Sequence, residues 1–194
     1  MDFVRIIAVT GEENCSVGGI QDYDDDFMLL EPESLADEFP DDAYYVVSGD
    51  VMKSIGVKPI VQGDLLPNQD SVLLASAELA PVLAAAFGTA ESLEVSVFDP
   101  KKKESKSYFI VRPLEYPDVI TTPPEGLRFN PLDDAQLLNP VSELTFDFSS
   151  VPDEIRILTA KNLTSDFLAR RDFAEDLQKR FKGILIRELI DPVG

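Results

Sequence analysis

Apolar and polar residues follow two rhythms along this chain. Phe3 to Val9 (FVRIIAV) is a β-branched run that predicts a first strand, ended by the turn formers Thr10 and Gly11. Leu93 to Phe98 (LEVSVF) alternates with period two, as a half-buried strand does, and Tyr108 to Val111 predicts its hairpin partner across the solvated Lys101–Lys106. The other rhythm is helical. Leu79, Val82, Leu83, Ala86 and Phe87 fall at i, i+3, i+4, i+7 and i+8, with Pro81 in the first turn and a buried strand, Ser71 to Ala75, ahead of them. Phe173, Leu177 and Phe181 recur every four residues and predict a helix over Asp172–Phe181, stopped by Gly183 and followed by a strand at Ile184–Leu189. Further strands are expected at Tyr44–Val47, Leu144–Phe148 and Ile155–Leu158, and a short helix over Pro32–Phe39, whose early carboxylates suit its N-terminal dipole.

Two stretches resist regular structure. Gly49 to Asp70 contains Gly56, Pro59, Gly63 and Pro67, which break any long helix and leave loops or short edge strands. Residues 113–141 hold Pro113, Pro117, Pro123, Pro124, Pro131 and Pro140 and predict an extended crossing segment. The apolar residues among those prolines, Leu114, Val119, Ile120, Leu127, Phe129, Leu132, Leu137 and Leu138, would be buried, which favours one domain over two joined by a linker.

An internal repeat underlies the pattern. Placing residues 71–87 over 165–181 without a gap matches Ser71 with Ser165, Leu74 with Leu168, Ala75 with Ala169, Ala80 with Ala174, Leu83 with Leu177 and Phe87 with Phe181. Chance would supply about one identity. In each copy a strand follows the helix, so residues 71–98 and 165–189 read as two strand-helix-strand units. The expectation is a single α+β domain over residues 1–194, with each helix set against a mainly antiparallel sheet.

Charge changes the picture for residues 1–57. From Ile6 to Met52 there are 13 carboxylates and no Lys or Arg, and the whole chain has 36 Asp and Glu against 17 Lys and Arg, a net charge of -19. Such a surface disfavours phosphate backbones and anionic lipid, and speeds encounter with basic partners. The absence of His removes Ser-His and Cys-His nucleophiles and His-ligated zinc, and Cys15 alone permits no intrachain disulfide. No stretch approaches a membrane span and the N-terminus lacks a secretory apolar region, so a cytoplasmic location is expected.

Candidate chemistry is sparse. Thr10 to Ile20 (TGEENCSVGGI) has glycines after a strand, but no Lys and Ser or Thr follow its second Gly to reach phosphates and Mg²⁺. Cys15 lies near Glu12 and Glu13, whose charge disfavours a thiolate. Asp22-Tyr23-Asp24-Asp25-Asp26 lacks the glycine and final glutamate of a calcium loop. No cofactor, metal site or catalytic residue is expected. Carboxylate pairs such as Asp41-Asp42 and Asp133-Asp134 keep a carboxylate-only hydrolase open as an alternative, and a DNA-mimicking acidic regulator is a second.

Three stretches resemble a known family: Lys58 to Phe87, with the run DSVLLASAELAPVLAAAF; Tyr108 to Asp118, YFIVRPLEYPD; and Pro152 to Leu189, in which Ile155-Arg156-Ile157, Phe167-Leu168-Ala169 and Lys182-Gly183-Ile184 hold the family's places. Together they resemble the eleventh-numbered immunity family of bacterial polymorphic toxin systems, chiefly over residues 58–194. The resemblance implies an inhibitor that binds a cognate toxin stoichiometrically, without turnover, by steric and electrostatic occlusion. A toxin acting on nucleic acid would present a basic cleft. The expected contacts are then the carboxylates Asp22, Asp24, Asp25, Asp26, Asp37, Glu38, Asp41 and Asp42, with Tyr23, Phe27, Tyr44 or Tyr45 as aromatic anchors. The competing reading is that these carboxylates form a solvated face and nothing more.

Overall fold

Two sheets carry the molecule. The computed structural model describes residues 2–9, 15–23, 26–47, 62–131, 133–163 and 165–189, so the expectations for Thr10–Asn14, Asp24, Asp25 and most of Gly49–Asp70 lie outside the described residues. The strands are β1 (Phe3–Ala8), β2 (Tyr44–Val46), β3 (Leu65–Leu66), β4 (Leu73–Ser76), β5 (Ala90–Asp99), β6 (Glu104–Pro113), β7 (Phe129–Asn130), β8 (Asp133–Leu137), β9 (Ile157–Leu158), β10 (Phe167–Arg170) and β11 (Ile184–Arg187). Helix α1 (Ala80–Phe87) and helix α2 (Arg171–Arg180) complete an α+β fold. One sheet has the order β2-β5-β6-β4-β3, the other β11-β1-β10-β9, and β7-β8 is a separate ribbon. All pairs are antiparallel except β2 with β5. The expected single sheet is therefore two.

With β2 set aside, the two sheets are the same object twice. β4 begins at Leu73 and β10 at Phe167, β5 at Ala90 and β11 at Ile184, and both differences are 94 positions, the offset of the sequence repeat. β6 fills the gap between β4 and β5 as β1 fills the gap between β10 and β11. Registers agree residue by residue: Ser76 faces Tyr108 while Arg170 faces Phe3, and Leu73 faces Val111 while Phe167 faces Ile6. The short outer strands match too, Leu66 facing Leu74 and Leu158 facing Leu168.

Strand alternation then sorts side chains into three cores. Inward residues Leu65, Ala75 and Val111 of one sheet, and Ile157, Ala169 and Ile6 of the other, share a central core with Leu79, Leu83, Phe173 and Leu177 of the helical segments. The outward Leu66, Leu74 and Tyr108 pack under residues 15–47, while Leu158, Leu168 and Phe3 pack under the proline-rich crossing segment and its continuation to Leu163. The halves interlock reciprocally. The N–H groups of Asp64 and Leu65, at the start of β3, donate to the Lys182 carbonyl just past α2, at 3.0 and 3.1 Å. Arg156, ahead of β9, donates to the Ala86 carbonyl of α1 at 2.8 Å. Gly88 turns the chain after α1 with φ +82°, and a Cβ there would collide with Ile155 of the other half.

Of the apolar residues of the crossing segment, Phe129 and Leu138 are exposed instead of buried, and Leu132 lies outside the described residues. Two expected elements differ as well. Pro32–Phe39 forms turns, because the Glu31 and Glu33 carbonyls accept from the Arg112 guanidinium and the Leu35 N–H donates to the Glu91 carboxylate, so none of these groups is left for a helical ladder. Leu144–Phe148 makes one bridge, Phe146 with Ile120, since Leu144 instead closes the 3-10 turn Val141–Glu143 and the Thr145 N–H donates to the Thr122 Oγ1. α2 also ends before its expected glycine, with Phe181 already extended and Gly183 at φ +90° leading into β11.

Candidate functional site

The acidic segment over the β5 sheet is held by a cation from beneath. Arg112, in the apolar run IVRP of β6, is 1 % exposed, and its guanidinium donates to the carbonyls of Met28 at 3.0 Å, Leu29 at 3.2 Å, Glu33 at 2.8 Å, and Glu31. The first two belong to the 3-10 turn Asp26–Leu30, where the Met28 carbonyl also accepts from the Glu31 N–H at 3.1 Å. Glu91, directly across the ladder, balances the charge at 2.5 Å and accepts from the Leu35 N–H at 3.0 Å and the Ser34 hydroxyl at 2.8 Å. Tyr116 donates its hydroxyl to the Leu30 carbonyl at 2.7 Å, and burial pushes its pKa up to about 12. Five carbonyls, of Met28, Leu29, Leu30, Glu31 and Glu33, and the Leu35 N–H thus converge on three side chains, while Glu31, Glu33, Asp37 and Glu38 are exposed.

That arrangement separates the expected contact residues. Asp37, Glu38, Asp41 and Asp42 are exposed on adjoining turns, and Glu31 and Glu33 join them. Asp22 is exposed at φ +60°, next to the bridge between Gln21 and Tyr44. Asp24 and Asp25 lie outside the described residues, and Asp26 and Phe27 are described only as backbone of the 3-10 turn. Of the aromatic anchors, Tyr45 is buried in the core and cannot reach a partner. Tyr23 is half-buried against Phe39, ring centroids 5.3 Å apart, and Tyr44 is half-buried in β2. The ion pairs of the described residues join other groups, such as Arg171 with Asp2 and with Glu188, and Arg5 with Asp166, so Asp22, Asp37, Glu38, Asp41 and Asp42 keep their charge open to solvent.

Arg112 and Glu91 were missed at the level of sequence. The available signal was a charged residue inside YFIVRP, where burial without a partner would be prohibitive.

Two cavities border this region. One, about 400 Å³, sits beyond Phe87 against Ile155 and Tyr116, with Glu115 in its lining. The other, a groove of about 310 Å³ along β5, carries Asp41 and Glu94, both exposed. Among the described residues no three metal-ligating side chains converge, and no helix is long and apolar enough to cross a membrane. Cys15 is buried, which pushes its pKa up to about 11. Comparison with models of known protein families finds no match, and comparison with curated proteins finds none.

Proposed function

We propose that this protein acts by binding: it is an immunity protein that covers the basic working surface of a cognate toxin with its acidic face. One observation carries the reading. Exposed carboxylates that no ion pair among the described residues engages stand beside a backbone tied to the buried Arg112–Glu91 pair, which favours an anionic surface shaped before a partner arrives. A preorganised surface loses less entropy on binding than a disordered acidic tail, and its field accelerates encounter with a cationic one. The resemblance over residues 58–194 supplies the partner class, a bacterial toxin.

The test is protection. It begins with the neighbouring reading frame: a toxin-like chain encoded there is expected, its co-expression with this protein is expected to restore growth and yield a stoichiometric complex, and D37N/E38Q/D41N/D42N is expected to slow association and flatten its salt dependence. A neighbouring toxin that kills unhindered, or association kinetics unchanged in the quadruple variant, overturns the reading.

A further inference from the structure

Resting on that reading, we infer that the partner contributes an extended, Lys- or Arg-rich segment that adds as a strand to the part of the β5 edge that no described strand covers. Val47 donates to the Phe98 carbonyl at 3.0 Å, so Phe98 turns its backbone groups toward β2 and away from β6. In an antiparallel ladder the direction alternates, which puts the N–H and C=O of Ser92 and Glu94 on that same outer side. There β2 covers only the far part of the edge, pairing Tyr44 with Ser96, Tyr45 with Val97 and Val46 with Phe98. The chain before β2 turns off at Asp41 and Asp42 and does not continue the ladder.

What remains is the groove of about 310 Å³ between Ser92–Ser96 and the turn carrying Phe39, Pro40 and Asp41. An incoming strand would lie end to end with β2, hydrogen bonding to Ser92 and Glu94 through its backbone. Charge selects the occupant. Glu94 is exposed beside the groove and Asp41 lines its other wall, with Asp37, Glu38 and Asp42 on the adjoining turns and no Lys or Arg from Ile6 to Met52. Alternate side chains of an added strand point to one face, so every second residue being basic would set a row of cations against these carboxylates.

The probe is a short capped peptide alternating lysine with valine, compared with one alternating lysine with proline at equal charge, both added to the full chain. The first is expected to slow hydrogen exchange at the Ser92 and Glu94 amides. The second, which lacks every other N–H, is expected to bind about tenfold more weakly. Equal binding of the two, or binding that leaves those amides unprotected, overturns strand addition and leaves the acidic face standing as an electrostatic surface. No binding by either peptide also overturns it, the carboxylates then serving to keep the edge from pairing. Protection in the co-expression test reports on inhibition separately, so the two readings fail independently.

Discussion

Leu74 and Leu168 occupy the same place in two copies of one sheet, yet the material over them differs. Leu74 lies under a segment of 33 residues, 15–47, whose backbone is tied to the buried Arg112 and whose outer side chains are acidic. Leu168 lies under a proline-rich segment held by apolar contacts and local turns, with Phe3 and Phe148 stacked at 4.2 Å. The equivalent of Ile110 in the second sheet is Arg5, which turns to Asp166. A duplicated framework thus keeps its inner surfaces alike, because both build one shared core, and is free to diverge on its outer ones. The outer surface of the first copy carries the carboxylates, and that is where specific recognition has room to arise.

The comparison breaks most sharply at Arg112. Arg112→Leu strands the Glu91 charge and at least four carbonyls, and is expected to destabilise by about 3–5 kcal/mol in urea unfolding. The thiol of Cys15, buried at the start of the same segment, should then react with a disulfide reagent far faster than in the parent, whereas the region around Leu163 keeps its exchange protection. A uniform loosening of both covers would show that they are not independent.

Next in size are the paired helix positions. Leu83→Ala and Leu177→Ala each empty an equivalent, fully buried site in the central core and should each cost about 3 kcal/mol, in a single unfolding transition. A biphasic curve for either would mean that the halves unfold separately.

Acid sharpens the contrast within the second copy. Burial raises the carboxyl of Asp166, opposed by Arg5, so the native state holds that proton more tightly than the unfolded chain. Stability from this group therefore rises as pH falls from neutral through its raised value. Asp2 and Glu188 run the other way: bonding to Arg171 lowers both, so what they contribute is present above the ordinary carboxylate range and fades as pH drops through their lowered values. Carboxyl-carbon NMR titration should show Asp166 on the high side and the other two on the low side, and only the exposed pair should respond to salt. The smallest effect on stability is expected at the acidic face, where D37N/E38Q/D41N/D42N should change it by about 0.5 kcal/mol at most, in thermal unfolding.

Much of this framework was legible. The helical spacing placed α1 and α2, the alternation of Leu93, Val95 and Val97 placed β5, and the 94-residue offset held for the strands as well as the helices. The strand expected at Ile155–Leu158 is present as β9 in its last two residues, whereas β3 was harder, since two residues carry no period and their pairing is fixed by β4. That the second sheet borrows β1 could not be read from local pattern at all. The acidic stretch was visible as charge, but its shape depends on Arg112, more than 70 residues further along, and so Pro32–Phe39 looked helical when its hydrogen bonds were committed elsewhere.

The placement of β1 also sets an order of events during synthesis. Residues 65–113 contain every strand that the first copy's four-stranded framework needs, so that half can close while translation continues. β1 is made before the other described strands, yet its neighbours β10 and β11 are made after all the others, and Phe3, Val4 and Ile6 must wait for those partners. A circular permutant carrying β1 after β11 would remove that delay, and the speed of its refolding would measure how much the wait matters.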